Sequence, residues 1–245
     1  MIFAAKTDKG KVRERNEDYY HIPESDNDRI IAVADGLGGH NSGDLASSLA
    51  VLCSLAALER MDDVDSAPGM KLRRAIRIAN NLVYNKAKES DELRGMGSTL
   101  TISLLSDNRA VIAHVGDSRA YLFRNGALKL ITRDHSLFEE MAAKGEADRG
   151  CESHPARHIL TRAVGTCPTI EVDTYLTLWG EGDSLLLCTD GLHGLVSEEE
   201  IAGVMSAGDI KQAAETLVEK ALLAGGSDNI TVVIASNTRG EGVPE

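Results

Sequence analysis

Short apolar runs bounded by turn residues recur along the chain and predict strands over residues 29–34, 99–105, 110–115, 120–124, 127–131, 170–176, 184–188 and 230–235. Asn125-Gly126 separates two of them, and this dipeptide favours the type I′ turn of a tight hairpin because both central positions need positive φ. Ser106-Asp107-Asn108 is placed to do similar work one hairpin earlier. A longer period marks the helices. Leu45, Leu49, Leu52 and Ala56 share one face, as do Leu72, Ile76, Ala79 and Val83, so the two segments are expected to pair as an antiparallel helical hairpin over a sheet. Further on, Ser197 and Glu200 have capping-box spacing, and Asp209 can cap an amphipathic stretch that ends before Gly225-Gly226. Strands in the middle with helix pairs early and late predict an α+β fold: a four-layer α-β-β-α sandwich of two antiparallel sheets flanked by helices.

Composition narrows this picture. Hydrophobic residues at 42% and charged residues at 26% are ordinary globular usage, which gives no reason to expect disorder. No linker or repeat divides the 245 residues, so one domain over residues 1–236 and a short polar tail over 237–245 are expected. A net charge of -12 disfavours nucleic acid and anionic lipid as partners. Cys53, Cys151, Cys167 and Cys188 form no C-x-x-C pair, so reduced thiols are expected rather than zinc ligands or a disulfide framework. The early charges of the N-terminus do not suit a secretory signal, and no apolar run is long enough to span a bilayer. A soluble, cytoplasmic monomer is the expectation.

Chemistry enters where apolar strands run into an aspartate beside a glycine: Ala34-Asp35-Gly36, Val115-Gly116-Asp117 and Thr189-Asp190-Gly191, with Asp228 immediately before residues 230–235. Asp-Gly is also an ordinary turn dipeptide. Its recurrence at the ends of strongly apolar strands sets these copies apart, because crowding carboxylates at the rim of a hydrophobic sheet is costly without a cation. All-oxygen ligands favour hard ions such as magnesium or manganese.

Together with Arg13-Glu14-Arg15-Asn16-Glu17-Asp18, Asp35-Gly36-Leu37-Gly38-Gly39-His40 and Gly97-Ser98-Thr99, these segments resemble the bacterial metal-dependent serine/threonine protein phosphatases of type 2C. The resemblance continues through Gly116-Asp117-Ser118-Arg119, Asp134-His135-Ser136, residues 160–165, Thr189-Asp190-Gly191 and Ser227-Asp228-Asn229, which covers nearly the whole chain. It implies hydrolysis of phosphoserine and phosphothreonine on proteins, in opposition to a serine/threonine kinase, by a water activated by Mn2+ or Mg2+. It also implies two ions held by Asp35, the carbonyl of Gly36, Asp190 and Asp228, with Asp18 in an outer shell holding a water. Asp117 would help Asp190 hold a third ion, and Arg13 would grip the phosphate. A guanidinium suits that task because it can engage two oxygens at once.

Some positions stay open. Eukaryotic relatives place a histidine directly after the metal-binding Asp-Gly, whereas this chain has Leu37. His40 is the nearest candidate general acid, and it is equally a structural residue at the start of a helix, with a metal-associated water as the competing donor. Residues 137–158 match the variable flap of the family and read either as a substrate-selecting element or as a solvated loop. A catalytically silent phosphoprotein-docking module is the alternative from another class, disfavoured by retention of Asp35, Asp190 and Asp228. A phosphoesterase for nucleotides ranks lower, because aromatic residues make up only 4% of the chain.

Overall fold

The computed structural model describes residues 1–25, 29–38, 42–61, 67–148 and 154–238. Strand β1 (Ile2–Asp8) opens the chain and is followed by β2 (Asp18–His21), β3 (Ile30–Leu37) and the helices α1 (Gly43–Glu59) and α2 (Pro68–Lys86). The middle of the chain forms β4 (Gly97–Ser98), β5 (Leu100–Leu105), β6 (Arg109–Val115), β7 (Arg119–Arg124), β8 (Ala127–Leu130) and α3 (Leu137–Ala143). After these come β9 (Asp173–Leu178), β10 (Ser184–Cys188), α4 (Asp190–His193), α5 (Glu198–Met205), α6 (Ile210–Leu223) and β11 (Ile230–Ser236).

These strands make two antiparallel sheets. One has the order β1-β11-β10-β7-β8; the other runs β2-β3-β5-β6-β9, with β4 on β3. Strands in the centre of each sheet are buried on both faces, so they read as continuous apolar runs rather than alternating ones. Alternation survives in the direction each side chain faces. Ile31 and Val33 of β3, Leu185 and Leu187 of β10, and Val233 and Ala235 of β11 meet between the sheets. Their neighbours Ala32 and Ala34 pack outward under α1 and α2, while Leu186, Cys188, Val232 and Ile234 pack outward under α4, α5 and α6. Each fully buried Leu or Val contributes roughly 1.5–3 kcal/mol, and the central layer is what locks the two sheets face to face.

The expected hairpin, caps and second helix hold. Asn125 and Gly126 have φ of 52° and 78°, Ser197 and Glu200 close a capping box, and the Asp209 side chain accepts from Lys211 and Gln212 N–H. Three expectations need correction. Leu52 is 49% exposed, and α1 buries instead the small stripe Ala46, Ala50, Ser54 and Ala57, which lets the helix lie close to the sheet. The strand expected over 170–176 is shifted to β9, because its start is occupied by an extended segment outside the ladder. The flap begins as a regular helix, α3, with Ser136 capping it by accepting from Glu139 N–H. Among the described residues no helix is long and apolar enough to cross a membrane.

Candidate metal centre

Strand register brings the first two acids together. β2 and β3 pair so that Asp18 lies opposite Asp35, and Asp35 sits inside β3 rather than after its end. Its backbone is fixed from the other side: Asp35 N–H donates to Thr99 Oγ1 at 2.8 Å, while Thr99 N–H and Ser98 Oγ both donate to Asp35 O at 2.9 Å. Gly36 must be glycine here, since a Cβ would run into the Gly43 and Glu17 carbonyl oxygens. Asp190 arrives from the second sheet at the start of α4, directly after β10, close enough for its charge to raise both Asp18 and Asp35. Asp228 precedes β11 and receives a 2.8 Å hydrogen bond from Arg13 Nη2.

The electrostatics follow from this crowding. Burial, reinforced by neighbouring carboxylates, pushes Asp18 up to about 7 and Asp117 up to about 8, and lifts Asp35 and Asp190 above the ordinary carboxylate range. Asp18 keeps one oxygen satisfied, since Thr189 Oγ1 donates to its Oδ2 at 2.8 Å. Asp18 Oδ1 and Asp190 Oδ1 are buried without any hydrogen-bond partner. Orphaned carboxylate oxygens are expensive, and a hard divalent cation satisfies them.

Among the described residues, no three His, Cys, Asp or Glu side chains form a ready-made cage for one ion. The acids converge instead by register and by proximity: Asp18 lies opposite Asp35, and the charge of Asp190 raises both. That suits Mg2+ and Mn2+, since small hard ions commonly use one or two carboxylates each and complete their shells with water. The donor set therefore fits a hydrated two-ion site better than a protein-lined single-ion one.

A sequence model of the protein phosphatase 2C family matches residues 8–222. The chain belongs to the protein phosphatase 2C family. A serine/threonine phosphatase from Listeria welshimeri is 38% identical over 94% of this chain and 93% of its own length. The crystal structure of the Mycobacterium tuberculosis serine/threonine phosphatase PstP superposes with a TM-score of 0.89 at 36% identity, covering 97% of this chain and 99% of that one. A catalytic domain of PstP solved in complex with two manganese ions matches with a TM-score of 0.82 at 35% identity, covering 96% and 97%.

The remaining acid expected from the sequence, Asp117, lies further along the rim. Asp117 follows β6 after Gly116, whose φ of 109° carries the chain over Thr99, where a Cβ would strike the threonine side chain. Two histidines bracket this turn. His135 N–H donates to Gly116 O at 2.7 Å while Gly116 N–H donates back to His135 Nδ1 at 3.1 Å. On the other side His193 Nε2 donates to the Asp117 carbonyl at 3.0 Å. Burial, with Arg119 nearby, lowers His193 to about 3, so it stays neutral and holds the turn without adding charge. A cleft of about 590 Å³ opens beside Asp117 and Asp190, lined by Arg157 and His158 of the flap and by the N-terminal residues of α5.

Sequence reasoning left His135 and Arg162 without assigned chemistry, and the structure places both behind the Asp117 turn. Arg162 Nη1 donates to Asp173 Oδ1 at 3.0 Å, and Asp173 Oδ2 faces His135 Nε2 at 3.2 Å. His193 and Thr189 carried no signal of their own; their positions beside Asp190 were the available clue. The candidate general acid His40 lies outside the described residues, as does Cys151.

Proposed function

We propose that the chain is a metal-dependent protein serine/threonine phosphatase using two Mn2+ or Mg2+ ions. When bound, such ions acidify water and neutralise phosphoryl charge, the two tasks that phosphate monoester hydrolysis demands most. Asp35, the Gly36 carbonyl, Asp190 and Asp228 are the proposed ligands, and Asp18 orients a water from the outer shell. Asp117 and Asp190 together form the place for a third ion. Arg13, placed beside Asp228, would hold the substrate phosphate, its planar fork aligning two phosphoryl oxygens.

The observation that carries this reading is the set of buried, mutually repelling carboxylates with two orphaned oxygens, at a rim where the Arg13 guanidinium bonds Asp228 and acts on Asp35. Substrates are phosphorylated proteins made by a serine/threonine kinase. The flap contributes to choosing among them, since Arg157 and His158 face the ligands across the cleft. Purified protein with manganese should release phosphate from a phosphothreonine peptide, and chelation should abolish this. Equal turnover with the ions stripped would refute the mechanism.

A further inference from the structure

Arg13 is carried by residues 9–17, which join β1 to β2 without a ladder of their own. A long side chain on an unsupported loop aims poorly, so something else must hold this backbone. The amide of Asn229 does so. Its Nδ2 donates to Lys9 O at 2.9 Å and to Arg15 O at 2.8 Å, while its Oδ1 accepts from Glu17 N–H at 2.8 Å. Two carbonyls on one side and an N–H on the other settle which way the amide points. Backbone groups on both sides of Arg13 are thus closed by one residue, itself only 4% exposed.

The same residue joins this loop to the proposed metal ligands. Asn229 N–H donates to Asp228 Oδ1 at 2.8 Å, and its carbonyl lies so close to Gly191 that a Cβ there could not fit. From the loop side, Lys11 N–H donates to Gly226 O at 2.7 Å, and Gly10, with φ of 77°, lies where a Cβ would strike the carbonyls of Asp228 and Gly226. We propose that Asn229 is the positioning residue for Arg13, setting the distance between the phosphate-gripping guanidinium and the carboxylates of Asp190 and Asp228. This rests on the reading of Arg13 given above.

The test uses inorganic phosphate as a competitive inhibitor of the manganese-loaded enzyme, with Arg13→Ala, Asn229→Asp and the double variant. An aspartate has the same shape but presents an acceptor to two carbonyls, so it releases the loop. The inhibition constant for phosphate should rise about tenfold or more in each single variant, and the double should be no worse than Arg13→Ala alone, as for residues acting as one unit. The manganese concentration for half-activation should change much less than the phosphate constant in Asn229→Asp. An unchanged phosphate constant in Asn229→Asp, full additivity, or an equal shift in manganese dependence overturns the inference and leaves Arg13 as the grip. An unchanged constant in Arg13→Ala overturns both. If Asn229→Asp does not fold, Gly10→Ala displaces the same loop from its other end and is read by the same measurements.

Discussion

Two groups of buried aspartates in this protein are treated in opposite ways. Asp134 is held by Arg119 through Nε to Oδ1 at 3.0 Å and Nη2 to Oδ2 at 2.8 Å, and Asp183 is held the same way by Arg124. Burial pushes Asp134 upward, but the Arg119 guanidinium more than offsets it and leaves the carboxyl below its ordinary range. Asp18, Asp35, Asp117 and Asp190 are also enclosed by the fold, yet all four are pushed up. The fold supplies its own guanidinium where an acid is structural. At the rim the compensating charge must come from solution, which is what a metal enzyme requires.

The largest test of this contrast is functional. Asp35→Asn or Asp190→Asn should lower phosphothreonine-peptide turnover on the order of 10³-fold or more at saturating manganese, because the charge organising the reaction is lost. Turnover near wild type in both would remove the rim acids from the chemistry. Next comes the sign of stability effects. Asp134→Ala strands a buried guanidinium and should cost about 3–5 kcal/mol in urea unfolding. Asp190→Asn in metal-free protein should instead stabilise by about 1 kcal/mol, by relieving repulsion. Two effects of the same sign would break the comparison.

The pH dependence sharpens it further. Carboxyls whose folded values lie above their unfolded ones bind more protons when folded, so stability is greatest at low pH and falls as pH rises through the folded values. For Asp18 and Asp117 that window runs from about 4 to about 7 or 8. Metal-free protein should therefore lose stability across it, with manganese removing the decline, as thermal melts with and without the ion would show. The smallest effect expected is that of Arg13→Lys, which keeps the charge but loses the fork. It should reduce kcat/KM about tenfold, less than any loss of a rim carboxylate.

Much of the fold was legible because β3, β10 and β11 are strongly apolar and close to their observed limits. Strand β1 was not, since Ile2-Phe3-Ala4-Ala5-Lys6-Thr7 is a half-buried edge whose alanines and lysine carry little strand signal. The α1 face was misread because leucines dominate any count of apolar spacing, whereas close packing on a sheet selected alanine and serine. At the site, the aspartates announced themselves by recurrence. Thr189, His193 and Asn229 did not, because their work is done on partners 171, 76 and more than 200 positions away, a relation that no local pattern encodes.

Among the described residues, the one strand that pairs with β1 is β11, with Asp8 opposite Ile230 and Ile2 opposite Ser236. On the ribosome, then, the opening strand has no partner until more than two hundred further residues have been synthesised, and such distant pairings close late. Because Asp228 directly precedes β11, the proposed ligand at that position is set in place by the same pairing that completes the sheet.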